Sequence, residues 1–242
     1  MKRFSWFLCL SLAVGLLLSG CGGGPSDIED NYTRVVLPLE DYFGSITQKF
    51  AEYLSSYDMQ VYNGHHSGED ISAIVGTPVY AIAGGRVAHI SPLSGLGYLI
   101  ALEHEGLFSI PARAEVVNGQ PYEYPEEDVR KIYSAYVHVT PTSSLQENQR
   151  VEQGEQIATI AQTTLGAHLH FEIRLPRGEP SNNWTLVGDP SNWSVFPETG
   201  KPNGYYKNPQ EMVNAGLRHP SDFLTRNLLQ PAEPPEGTGW IE

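Results

Sequence analysis

Two histidines separated by one residue, His168 and His170, stand inside the alternating stretch "AHLHFEIR" at 167–174. In a strand, side chains two apart share a face. His168, His170, Glu172 and Arg174 then face one way, and Leu169, Phe171 and Ile173 the other. The apolar face has a core to fill. The paired imidazoles are either metal ligands or a solvated edge. A second arrangement is "HHSGEDI", residues 65–71, where His66 and Asp70 are four apart with Gly68 between them. Gly68 and the β-branched residues after it disfavour a helix, and an extended segment puts both side chains on one face. An imidazole beside a carboxylate is half of a zinc site. A third histidine, His138 in "YVHV", shares an alternation with Tyr136, whose hydroxyl either binds substrate or packs. Glu172 is either an exposed carboxylate or one that orients an imidazole. In a strand His65 points away from His66 and reads as a non-ligand. His89, His104 and His219 receive no role.

The elements that must position these residues read mostly as strands. "AIVGTPVYAIAGGRVAHI", residues 73–90, gives two β-rich runs broken by "AGG", a hairpin-like signal, with Gly76, Thr77 and Pro78 shaping a turn. "GYLIALEHEG" and "RKIYSAYVHV" are further strands, and "NQRVEQGEQIATIAQ" is a strand–Gly turn–strand unit. Residues 44–57, "GSITQKFAEYLSSY", are expected to hold a short helix. Residues 107–129 break the pattern and are expected to form a long loop or insertion. "NPQEMVNAG" predicts a second short helix, with Asn208 as N-cap, Pro209 at its first position and Gly216 after its end. Residues 176–204 read as irregular. The expected body, 34–225, is a single mostly-β domain of antiparallel sheets with few short helices and long loops, followed by a Pro-rich tail at 226–242.

The whole chain constrains the chemistry further. Its 24 glycines and 18 prolines favour turns and sheets over a helix bundle. A formal net charge of −13 argues against a nucleic-acid partner. The N-terminus has a basic start, "MKR", then an apolar stretch of signal-peptide length. It ends in "LLSGC", which resembles the bacterial lipobox. The expectation is a lipoprotein signal peptide at 1–20, a lipidated Cys21 and a flexible tether over 21–33, "CGGGPSDIEDNYT". Signal removal deletes Lys2 and Arg3 and no acidic residue, taking the charge from −13 to about −15. Cys9 and Cys21 are the two cysteines, so the body has no thiolate or disulfide, and any metal must be held by His, Asp or Glu.

Taken in order, these fragments resemble the M23 metallopeptidases, the lysostaphin- and LytM-type peptidoglycan endopeptidases. The shared pattern is His66–Ser67–Gly68–Glu69–Asp70, "GTPVYA" at 76–81, Tyr136–Val137–His138, the turn "VEQGEQI" at 151–157, and His168–Leu169–His170–Phe171–Glu172. It spans about residues 36–175. The departures are Val139 where leucine is usual and the longer connection at 107–129. The resemblance implies the lysostaphin-type peptidase fold. It also implies Zn2+ held by His66, Asp70 and His170, with His138 and His168 in catalysis. The implied activity is hydrolysis of peptide bonds in peptidoglycan stems or cross-bridges by an enzyme tethered through Cys21 to a bacterial membrane, facing the periplasm or the cell exterior. The alternative is a non-catalytic scaffold or activator of another wall hydrolase.

Overall fold

The computed structural model describes residues 32–55, 64–176, 205–206 and 208–229. Expectations for residues 1–31, including Cys21, and for 177–204 and 230–242 lie outside the described residues. Among those described, the strands are β1 (Ile46–Gln48), β2 (Tyr53–Leu54), β3 (Gly64–His66), β4 (Glu69–Ser72), β5 (Pro78–Tyr80), β6 (Gly85–Leu93), β7 (Gly97–Ile110) and β8 (Arg113–Val117). They continue with β9 (Gln120–Tyr124), β10 (Glu127–Pro141), β11 (Arg150–Val151), β12 (Gln156–Ile160), β13 (His168–Arg174), β14 (Tyr205–Tyr206) and β15 (Leu217–Arg218). Two short helices follow the sheet, α1 (Pro209–Asn214) and α2 (Pro220–Asn227).

The main sheet is antiparallel, in the order β1-β4-β13-β10-β7-β6-β11, with β12 joining β10 to β5 and β15 pairing with β13. Alternation sorts its two faces. Ile71, Ile100, Leu102, Ile132, Tyr136, Leu169, Phe171 and Ile173 are buried in the main apolar core, which Met212 of α1 and Phe223 of α2 also enter. Each such side chain contributes roughly 1.5–3 kcal/mol on leaving water, which anchors β4, β10 and β13 firmly. Leu99, Ala101, Ala135 and Val137 form a smaller buried cluster on the opposite face. The expected mostly-β antiparallel class is therefore what the chain adopts.

Three local expectations are corrected. Over 44–55, the described part of the stretch expected to hold a helix, the chain leaves a 3-10 turn, Phe43–Ser45, for β1 and β2 rather than a helix. Long-range pairing outcompetes local propensity here: Ile46 and Gln48 pair with β4, Ala51 N–H donates to the His66 carbonyl, and His66 N–H donates to Glu52. Residues 107–129 are strand, not loop. β7 runs to Ile110, β8 and β9 form a hairpin, and β10 begins at Glu127. The hairpin turns at Asn118 and Gly119, with φ of 51° and 75°, the positive pair that a two-residue type I′ turn demands. At the C-terminus, α2 reaches Asn227 and Leu228 bridges Val35, so the folded body passes the expected boundary at 225. The helix expected from Asn208 is present, with the Asn208 side chain accepting from the Gln210 N–H.

Candidate metal and catalytic site

The site lies on the face of the sheet away from the main core. Register brings its parts together: His170 on β13 pairs with Asp70 on β4 and with Val137 on β10. Leu169 and Phe171 on the opposite side of β13 are fully buried. That packing fixes the strand and commits His168, His170, Glu172 and Arg174 to the site face. His66 and Asp70 do not share one extended strand, as the spacing had suggested. β3 ends at His66, the chain bends through Ser67 and Gly68, and β4 starts at Glu69. The bend still brings His66 Nε2 within 3.3 Å of Asp70 Oδ1.

His66, Asp70 and His170 converge on one point. His66 Nε2 lies 2.9 Å from His170 Nδ1, and His170 Nδ1 lies 2.9 Å from Asp70 Oδ1. Among the described residues, this is the one group of three such donors close enough together to hold a metal ion. A tetrahedral ion with bonds of about 2.0–2.1 Å spaces its ligand atoms by about 3.3 Å, close to these separations. The outer nitrogens decide where the lone pairs point. His66 Nδ1 faces the Lys49 carbonyl at 3.3 Å and His170 Nε2 faces Glu172 Oε1 at 3.1 Å. Both partners accept, so both outer nitrogens carry hydrogen. The inner nitrogens then aim lone pairs at each other and at a carboxylate, an arrangement that calls for a cation at its centre. Without a metal, a proton takes that role. Burial opposes a charged His170, yet hydrogen bonds to Asp70 and Glu172 lift its pKa to about 9. Burial would likewise raise Asp70, but the attraction of His66 and His170 holds it well below the usual carboxylate range.

His138 and His168 stand beside this cluster without joining it. Their rings are 4.5 Å apart between centroids, and His138 is 6.4 Å from His170. His168 Nε2 is 3.8 Å from Asp70 Oδ2. The expected alternation of His138 with Tyr136 does not hold. Tyr136 points into the core, where its hydroxyl accepts from the Ile82 N–H, so it packs rather than meeting the site. A regular strand would send His138 the same way. Instead β10 carries a bulge: Val137 pairs with Leu99 and Val139 with Tyr98, leaving His138 as the extra residue, at φ 66°. A bulge re-aims a side chain in this manner. His138 Nδ1–H donates to the Leu96 carbonyl at 2.9 Å, leaving Nε2 as the acceptor nitrogen. Burial, then the neighbouring His168, pushes the His138 pKa down to about 3; burial also lowers that of His168. Both rings are therefore neutral bases near pH 7.

Behind His170 is a buried set whose geometry spacing alone did not reveal. Glu172 is 1% exposed, and its carboxylate contacts His170, Ser67 and Arg174. Arg174 counters the burial cost, and with His170 it pulls the Glu172 pKa down to about 2. The one signal of this set in the sequence was the shared alternation of 168, 170, 172 and 174. His65 turns away from the cluster, its Nδ1 meeting the Ala51 carbonyl at 2.9 Å.

An antiparallel β domain that gathers two imidazoles and a carboxylate on one point, with two neutral imidazoles alongside, has the layout of the metallopeptidase class. The chain belongs to peptidase family M23: residues 127–183 match the family profile. Lipoprotein NlpD of Yersinia enterocolitica is 33% identical over 107 residues, covering 43% of this chain and 84% of NlpD. Lipoprotein YgeR of Escherichia coli K12 is 32% identical over 114 residues, covering 46% of this chain but 36% of YgeR, so the match spans about a third of that relative. Among solved structures, lysostaphin from Staphylococcus simulans superposes with a TM-score of 0.46 at 18% identity, covering 87% of this chain and 62% of lysostaphin. A zinc-containing peptidase from Vibrio cholerae gives 0.41 at 22% identity, covering 59% of this chain and 37% of that one.

Proposed function

We propose that this protein is a zinc-dependent endopeptidase that cuts peptide bonds in bacterial peptidoglycan, held at a membrane by a lipid on Cys21. The observation that carries the reading is the convergence of His66 Nε2, Asp70 Oδ1 and His170 Nδ1 on one point, with His138 and His168 beside it. Two neutral imidazoles and one carboxylate would hold Zn2+ with a net charge of +1. When bound, zinc polarises a scissile carbonyl and lowers the pKa of a bound water toward ~7.

The protein's own residues supply the rest. His138, with its Nδ1–H held by Leu96, offers Nε2 to take a proton from the attacking water. His168, next to Asp70, would hydrogen-bond the developing oxyanion or pass a proton to the leaving amine. The family and the lipoprotein relatives support the wall and the membrane as the place of action. The "LLSGC" stretch supports the anchor.

The test is digestion of purified peptidoglycan, with muropeptides identified by mass spectrometry, with and without a chelator. The expected result is chelator-sensitive release of peptides cut at a defined bond. Absence of release from a zinc-loaded protein that still binds the wall would support the scaffold alternative instead.

A further inference from the structure

We propose that Glu172, with Ser67 and Gly68, is a positioning device that fixes which nitrogen of His170 carries its proton and where the other aims. The inference rests on the zinc reading above and deepens it. The Glu172 carboxylate is divided between two sets of donors. Its Oε2 accepts from Arg174 Nε at 2.8 Å and lies 2.8 Å from a second Arg174 guanidinium nitrogen. Its Oε1 accepts from the Ser67 hydroxyl at 2.6 Å and from His170 Nε2–H at 3.1 Å. A carboxylate in this state only accepts, so His170 Nε2 must be the protonated nitrogen. Nδ1 is then left to face Asp70 and His66. A histidine bound through one nitrogen is commonly held in this way by a carboxylate on the other.

The residues between His66 and Asp70 make room for the arrangement. A β-carbon on Gly68 would stand 2.4 Å from the Phe171 carbonyl oxygen, 2.9 Å from Glu172 Cγ and 2.9 Å from His170 Nε2. Glycine at 68 therefore lets the chain close against the Phe171 carbonyl and, next to it, the Glu172 and His170 side chains. Ser67, also buried, adds the donor that keeps Oε1 turned toward His170.

The decisive substitution is Glu172→Gln, compared with Glu172→Ala. Arg174 has donors only, so glutamine must turn its carbonyl oxygen to Arg174 and its NH2 to His170 Nε2. That favours the opposite tautomer, with hydrogen on Nδ1. Zinc affinity is measured by competition with a chromophoric chelator, beside thermal melts of each metal-free protein. Glu172→Ala is expected to weaken zinc by about 10–100-fold, and the isosteric Glu172→Gln by at least as much. In 15N NMR of the zinc-loaded wild type, His170 should show metal on Nδ1 and hydrogen on Nε2. A space-filling role predicts the reverse ranking, with Gln milder than Ala, and that result would overturn the proposal. Ser67→Ala, which buries no new group, covers the case in which neither Glu172 variant folds. It should weaken zinc by a few-fold in a metal-free protein that still melts cooperatively, and unchanged affinity would count against the device. Failure of the wild type to bind zinc would instead remove the zinc reading itself.

Discussion

Buried histidines lie on both sides of the main sheet: His104 on its core face, and His170, met by His66 from β3, on the other. On the core face, His104 Nδ1–H donates to the Gly84 carbonyl at 3.1 Å, and Nε2 meets the Ser134 hydroxyl at 2.7 Å. Ser134 in turn shares a bond with the Tyr136 hydroxyl at 3.1 Å, and Tyr136 accepts from Ile82 N–H. Every polar atom in that chain has a partner from within the protein. On the site face, His66 and His170 are buried as deeply, yet their inner nitrogens face one another and a carboxylate. Burial therefore does not mark a ligand. What separates them is whether the lone pairs are spent on donors or converge on one point.

The strongest way to break this contrast is to exchange the losses. His170→Ala is expected to abolish zinc uptake and hydrolysis together while leaving the metal-free fold standing. His104→Ala should retain zinc in its folded fraction but lose roughly 3 kcal/mol of stability, from a cavity plus two stranded partners. Metal analysis and urea unfolding of both variants read this directly, and equal metal loss in the two would erase the distinction. Within the site face, His138→Ala and His168→Ala should each keep zinc and reduce turnover by about 10²–10⁴-fold, measured on a defined muropeptide. A matching zinc loss would reassign either residue as a ligand.

A pH series sharpens the core-face half. Burial pushes the His104 pKa down from 6.5 to about 4. The unfolded chain takes up that proton first, so the contribution is complete above pH 6.5 and declines as pH falls toward 4. At 1.36 kcal/mol per unit, the loss across that window is about 3 kcal/mol. Urea unfolding of the metal-free protein at pH 7 and pH 4.5 should show it, with a flatter profile in His104→Leu. The smallest expected effect comes from Gly97→Ala. Gly97 has φ 75°, and a β-carbon there would lie 3.0 Å from the Val139 carbonyl oxygen, against the bulge that carries His138. The left-handed backbone alone costs alanine about 1–2 kcal/mol. Turnover should fall while zinc content holds.

Much of the site was legible in the sequence because strand alternation is local. The spacing of His168, His170, Glu172 and Arg174 gave their shared face directly, and Asn208–Pro209 with Gly216 framed α1. What was not legible depends on partners distant in the chain. Helix propensity over 44–57 lost to pairing with β3 and β4, whose identity as neighbours no local pattern states. The β8–β9 hairpin did carry a local signal, Asn118–Gly119, which the polar, Pro-containing text around it obscured. Tyr136 and His138 were assigned one face because a bulge leaves no mark in spacing; it exists only against the β7 register. The fate of Glu172, exposed or buried, hung on Ser67 and Gly68, about a hundred positions away.

The bulge at His138 is one residue long, and that brevity has a genetic consequence. Deleting a single codon there would let β10 and β7 pair without interruption between Val137 and Val139, with the three candidate metal donors untouched in sequence. If the proposed activity holds, one in-frame triplet separates the placement of the His138 imidazole from the architecture that carries it.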